Sequence, residues 1–200
     1  MKKIKVELTF MEPVLGSTPC SQDALRKFVA PKSNDGAKME EEIESLEETE
    51  EGDSTVTVFP RTKKGEPFLW DYQVKGFFKS ACQAMNMINP GKKLTAFKRK
   101  IDQLVFVDER RIPYMLPDGG EIENMTRPLR AQTAKGERIA LASSEMLPEG
   151  TKVQFTITTL EDSLMDRVIE WLDYGRYNGL GQWRNAKYGS FTWEEIEEAA

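Results

Sequence analysis

The chain has 200 residues, a hydrophobic share of 39%, a charged share of 30% and a net charge of −5, which suits one domain with insertions, or at most two small ones. It has no histidine and two cysteines, which removes histidine-based triads, histidine general bases and four-cysteine zinc sites. No apolar run approaches the roughly 18–20 residues of a membrane span, and Cys20 and Cys82 lack CxxC spacing, so reduced thiols in the cytoplasm with no membrane partner are expected.

The first predicted element is a strand at 3–10, where Ile4, Val6, Leu8 and Phe10 alternate with Lys3, Lys5, Glu7 and Thr9. Alternation of this kind is a strand and not a signal peptide. Glu12-Pro13, Gly16 and Pro19 mark a loop. Ser21 or Asp23 can cap a short helix at 22–30, which Pro31 ends. A flexible insertion follows at about 31–54. Within it, residues 39–53 hold nine acids and no base, a pattern that stays solvated. Thr55–Phe59 reads as a short strand, with turns at Pro60 and Gly65-Glu66-Pro67.

Residues 73–88 carry Val74, Phe77, Phe78, Ala81, Ala84, Met85 and Ile88 at helical spacing, with Lys75 and Lys79 together on the polar side. Asn89-Pro90-Gly91 stops this helix, and 93–100 reads as a short basic helix. Leu104–Val107 is a strand, continued or paired by Arg110–Met115. Pro117-Asp118-Gly119-Gly120 is a turn. Residues 121–136, polar and basic, read as a long connection. Arg138–Leu147 and Thr151–Leu160 read as a β pair around Pro148-Glu149-Gly150. A helix at 162–174 shows the stripe Leu164, Met165, Val168, Ile169 and Leu172. Asp173 to Tyr188 is a glycine-rich loop, Tyr188–Trp193 a final strand, and Glu194–Ala200 an acidic tail. Two main helices against an antiparallel sheet give an α+β, ferredoxin-like core in a single domain, 1–200.

Charge is unevenly spread. Residues 61–138 hold sixteen bases against nine acids, a local charge of +7. A basic body suits a protein that grips phosphates, although an ordinary mixed surface with one acidic loop has the same composition. In the loop, Arg176, Arg184 and Lys187 supply charge. Tyr177, Trp183 and Tyr188 offer flat faces for bases, and the glycines expose backbone N–H groups. The loop equally reads as a turn whose aromatics cap the core. Lys75 and Lys79 flank Gly76, where a ligand could approach. Arg127, Arg130 and Arg138 punctuate a basic stretch that could lie along a nucleic-acid strand. The scattered carboxylates single out no catalytic pair or two-metal set. No catalytic residue, metal or cofactor is therefore expected, with a metal-dependent nuclease left as the enzymatic alternative.

Three stretches resemble the repeat-associated mysterious protein (RAMP) superfamily, which includes backbone subunits of CRISPR effector complexes and prophage-encoded members. These are KVELTFMEPVLGSTP, FLWDYQVKGFFKSACQAM with its lysine–glycine helix start, and GLGQWRNAKYGSF from Gly179 to Phe191. They occur in the family's order. The resemblance implies an RRM-type fold, single-stranded nucleic-acid binding and head-to-tail stacking into an oligomer or filament. The lack of histidine departs from the crRNA-processing members, and no thumb aspartate is assignable for the target-cutting ones. The expected function is sequence-tolerant binding of single-stranded DNA or RNA by a phage or bacterial protein. The alternative is a protein-interaction subunit or inhibitor of a CRISPR complex, without catalysis.

Overall fold

The computed structural model describes residues 1–20, 56–133 and 136–197, and of residues 129–133 and 136–140 the backbone alone. The helix expected at 22–30 and the acidic insertion at 31–54 lie outside the described residues. In chain order the elements are β1 (Lys2–Phe10), β2 (Val14–Leu15), β3 (Thr18–Pro19), β4 (Val56–Val58), β5 (Phe68–Trp70), α1 (Asp71–Ile88), α2 (Phe97–Leu104), β6 (Val105–Val107), β7 (Arg111–Pro113), β8 (Glu123–Thr133), β9 (Gly136–Leu147), β10 (Lys152–Thr159), α3 (Asp162–Asp173) and β11 (Phe191–Glu195). No helix among them is long and apolar enough to cross a membrane.

The alternating residues of β1 place it inside a four-stranded antiparallel sheet of order β11-β1-β10-β6. Val6, Leu8 and Phe10 share the inner face with Val153, Phe155, Ile157, Val105 and Phe191, each no more than 1% exposed. Helices α1 and α3 cover that face. The 3.6-residue spacing buries Val74, Phe77, Phe78, Ala81 and Cys82 on α1 and Leu164, Met165, Val168, Trp171 and Leu172 on α3. The helices meet where Phe78 and Trp171 pack ring to ring at 5.7 Å. Burying each such side chain contributes about 1.5–3 kcal/mol. Cys82 belongs to this core, and desolvation pushes its thiol up to about 11. At the start of α1, Gln73 Oε1 accepts from the Trp70 backbone N–H at 2.9 Å while Gln73 Nε2 donates to Ser17 Oγ at 2.8 Å. One glutamine thus caps the helix and ties it to the chain before β3.

Four expectations need correction. The segment at 121–136 is not a connection. It holds β8 and the first residue of β9, and the two strands form a ribbon paired from Glu123↔Met146 to Thr133↔Gly136. Its polar composition hid it, because among the described residues β8 pairs only with β9 and needs no apolar face; Pro128 is tolerated there because only one side of the strand is hydrogen-bonded. Second, β9 and β10 do not pair: β9 joins β8, β2 and β4, whereas β10 joins β1 and β6. Gly150, at φ +79°, and the bond from its N–H to Phe10 O redirect the chain between sheets instead of folding it back. Third, Arg111–Pro113 pairs with Phe68–Trp70 rather than extending β6. The final strand also begins later than expected, at Phe191, because Gly189 at φ +69° breaks the extended run.

The other face of the four-stranded sheet is polar. Glu7, 7% exposed, accepts from Lys152 Nζ at 2.5 Å and Gln154 Nε2 at 2.6 Å. Glu109 accepts from the Thr156 backbone N–H at 2.7 Å and Thr156 Oγ1 at 2.9 Å. The bonds from Lys152 and Gln154 hold the Glu7 carboxyl below its ordinary value of 4.5. A depressed carboxylate stabilises the fold above its unfolded pKa, and that contribution disappears as the pH falls through the folded value. Wild type is therefore expected to melt above Glu7→Gln near neutral pH. The gap should close on acidification, which melting curves from about pH 7 to 3 would show.

Candidate nucleic-acid interface

After α3 the chain turns through Tyr174–Arg176 and enters the loop that ends at Phe191. Its glycines serve close packing. A Cβ on Gly179 would lie 1.6 Å from Gly189 O, and one on Gly189 would lie 1.8 Å from Leu180 O. The Leu180 N–H bonds Gly189 O at 3.0 Å, so the two arms of the loop touch backbone to backbone at its neck. Gly175 packs beneath the Phe191 ring, and Gly181 against Leu15 O. At Gly175, Gly179, Gly181 and Gly189 this chain's own atoms fill the space a Cβ would enter, and the Gly189 N–H, expected to be exposed, bonds Pro13 O at 2.9 Å.

The neck presents a short tip. Trp183 has φ +53° and Lys187 φ +69°, left-handed backbone on either side of a tight turn at Arg184–Ala186. Non-glycine residues held in this region cost of order 1–3 kcal/mol each and cluster where structure serves function. Trp183 stacks on Tyr188, with centroids 5.1 Å apart and planes at 12°. The Arg127 guanidinium lies over the Trp183 ring at 4.5 Å. Arg127 Nη2 donates to Gln182 Oε1 at 3.2 Å. The fold therefore joins two stretches that the sequence offered separately, the β8 strand and the glycine-rich loop. Tyr177 stands apart and is 74% exposed, its ring 6.4 Å from that of Tyr174. None of the ion pairs among the described residues uses Arg176, Arg184 or Lys187.

The remaining expected residues are placed differently. Lys79 Nζ pairs with Asp102 Oδ1 at 2.6 Å. Lys75 Nζ donates to Asp102 O at 3.3 Å and lies 4.8 Å over the Phe106 ring, and burial lowers its pKa. Both lysines are thus tied to α2 and β6, at the sheet edge opposite β11 and the loop. At about 4.8 Å per strand that separation spans roughly 14 Å, so the lysines and the loop are distinct patches. Between them, Gly76 is exposed on α1 with nothing within 4 Å of a Cβ placed there. Arg130 and Arg138 sit in the β8–β9 ribbon opposite Ile139 and Ala131; their side chains lie outside the described residues.

One arginine–aromatic group was missed by sequence reasoning. Arg110 lies 4.7 Å over Trp70 and 5.8 Å from Tyr72, and Arg111 lies 5.6 Å over Phe68. Asp71 bonds Arg110 Nη1 at 2.5 Å. The alternating aromatics of Phe68, Trp70 and Tyr72 were its signal. No three histidine, cysteine or acidic residues come together to hold a metal among the described residues.

Neither a protein-family model nor a curated protein sequence matches the chain. In fold it is similar to a chain of the Type III-B Cmr-beta structure bound to cognate target RNA, with a TM-score of 0.51 at 11% identity. The match covers 98% of this chain and 60% of that one, so the chain spans 60% of the length of its neighbour. A chain of a Type IV-B CRISPR complex aligns over 100% of this chain and 92% of its own length, at 12% identity and a TM-score of 0.47.

Proposed function

We propose that this chain is a non-catalytic RAMP-type protein that binds single-stranded nucleic acid through the 174–190 loop and the β8–β9 ribbon. The observation that carries the reading is the tip of that loop. Arg184 and Lys187 at the tip, and Arg176 before the neck, take part in no described ion pair; Trp183 at the tip is 42% exposed, and Tyr177, next to Arg176, is 74% exposed. Cations that neutralise phosphates and an aromatic face that stacks a base are the two parts of sequence-tolerant single-strand binding. The strand order β11-β1-β10-β6, reached through a β-α-β-β-α-β succession, supports a ferredoxin-like core. The polar face of this sheet carries Glu7 and Glu109 and, apart from Phe106 on the edge strand, no aromatic platform, which favours the loop as the interface. Because the neighbour in fold comes from a complex bound to cognate target RNA, RNA is the first ligand to try. We place the protein in a bacterial or phage-infected cytoplasm, working as a repeated subunit along the strand.

The test is fluorescence anisotropy with labelled single-stranded RNA, single-stranded DNA and duplex DNA at about 50 and 200 mM salt. Salt-sensitive binding of a single strand, with growth to large species on size exclusion, is the expected result. Silence toward all three at low salt would reject the reading. The rival is a protein-interaction subunit or inhibitor, and it draws on the acidic run at 39–53. Deleting that run should leave strand binding intact or stronger in a binder, and should abolish partner capture in a mimic.

Gly76 gives a second check. In the free protein Gly76→Ala should add about 0.5–1 kcal/mol of stability, because a helical glycine in open space is replaced by a better helix former. If a strand lies against α1 there, the same variant loses affinity while melting higher. Paired thermal melts and titrations separate the two effects.

A further inference from the structure

We propose that Arg127 is an occluded phosphate-binding residue, covered by Trp183 in the free protein and exposed to a backbone phosphate of the bound strand when Trp183 swings aside. The inference rests on the proposed function and assigns this part of the site its ligand chemistry. Arg127 is 9% exposed. A buried guanidinium is ordinarily paired with a carboxylate, since an unpaired buried charge is costly. Here its only acceptor among the described residues is the neutral Gln182 Oε1, and Nε and Nη1 have none. Desolvation lowers its pKa from the usual arginine value. The two orphaned donors, Nε and Nη1, lie on different edges of the guanidinium, and each can take a phosphate oxygen.

The cover lies at the surface and, among the described residues, is held by ring contacts alone, the stack on Tyr188 and the Arg127 guanidinium. Trp183 is 42% exposed and sits in strained left-handed backbone. The Gln182 N–H reaches Leu15 O at 3.4 Å, a long bond. Rotation of Trp183 outward gives up its stack on Tyr188 and its contact with Arg127, opens the arginine to a phosphate and frees an indole face for a base. Arg184 opens the same turn and Lys187 follows it, where they hold the phosphates that flank the captured one.

The test uses the full chain with inorganic phosphate and with a labelled single-stranded oligonucleotide, comparing wild type, Arg127→Gln, Arg127→Lys and Trp183→Phe. In wild type, phosphate should raise the melting temperature and change a tryptophan emission that Trp183→Phe lacks. Arg127→Gln removes an uncompensated charge, so the free protein should melt as high as wild type or higher. It should lose the phosphate response, bind the oligonucleotide roughly 10–100-fold more weakly and flatten the salt slope by about 0.7. Arg127→Lys should keep the slope and lose part of the affinity. The proposal is overturned if Arg127→Gln melts lower with phosphate response and salt slope unchanged, or if phosphate moves neither melting nor emission of wild type. Oligonucleotide binding that ignores Arg127→Gln sinks this site and leaves the proposed function standing. An Arg127-dependent phosphate response without oligonucleotide binding keeps the site and rejects the nucleic-acid reading.

Discussion

Gly179→Ala is expected to lower stability by about 3 kcal/mol or more and to abolish strand binding. The added Cβ would lie 1.6 Å from Gly189 O, 2.1 Å from its carbonyl carbon and 2.5 Å from Ser190 N. All three are backbone atoms with no rotamer to yield. The neck must open, which breaks the Leu180 N–H bond to Gly189 O and lifts Leu180, 3% exposed, from the core. At roughly 2–4 °C per kcal/mol for a domain of this size, the melting temperature should fall by about 6–12 °C. Binding measured well below that temperature should be lost, because the tip from Trp183 to Lys187 is aimed by the neck. A protein that melts lower but binds normally would place the interface elsewhere. A melting temperature unchanged by the substitution would show that the neck is not closed as described.

Replacing both Arg184 and Lys187 by glutamine should have the reverse profile. Neither residue joins a described ion pair, and surface substitutions of this kind stay within about 0.5 kcal/mol of stability. The fold should melt as wild type. Affinity for a single strand should fall about 100-fold at low salt, since each lost charge-assisted bond accounts for about tenfold or more. The slope of log affinity against log salt should flatten by about 1.4, or 0.7 for each phosphate released. Titrations at several salt concentrations measure both quantities. An affinity loss without a change in slope would mean that the two cations shape the loop and do not touch phosphate.

These expectations depend on parts of the molecule that were unequally readable. The alternation of Ile4, Val6, Leu8 and Phe10 and the helical stripes from Val74 to Ile88 and from Leu164 to Leu172 mark β1, α1 and α3 as legible, although Ile88 and Ile169 of those stripes lie exposed. The β8–β9 ribbon was not, because among the described residues β8 pairs only with β9 and follows no apolar pattern. The separate sheets of β9 and β10 hinge on Gly150, whose turn looks like a hairpin in the sequence. In the site, the loop's cations were legible as residue types. That the glycines serve the neck, that Lys79 is paired with Asp102, and that Arg127 lies under Trp183 depend on contacts between residues distant in the chain. No local spacing encodes those contacts.

Amide hydrogen exchange of the full chain, with and without a saturating single-stranded RNA, tests the central claim most directly. Strand binding through the loop and ribbon predicts slowed exchange at 174–190 and along the ribbon of β8 and β9, with the four-stranded sheet unchanged on its polar face. Protection confined to that polar face or to the α2–β6 edge, or none anywhere, would contradict it.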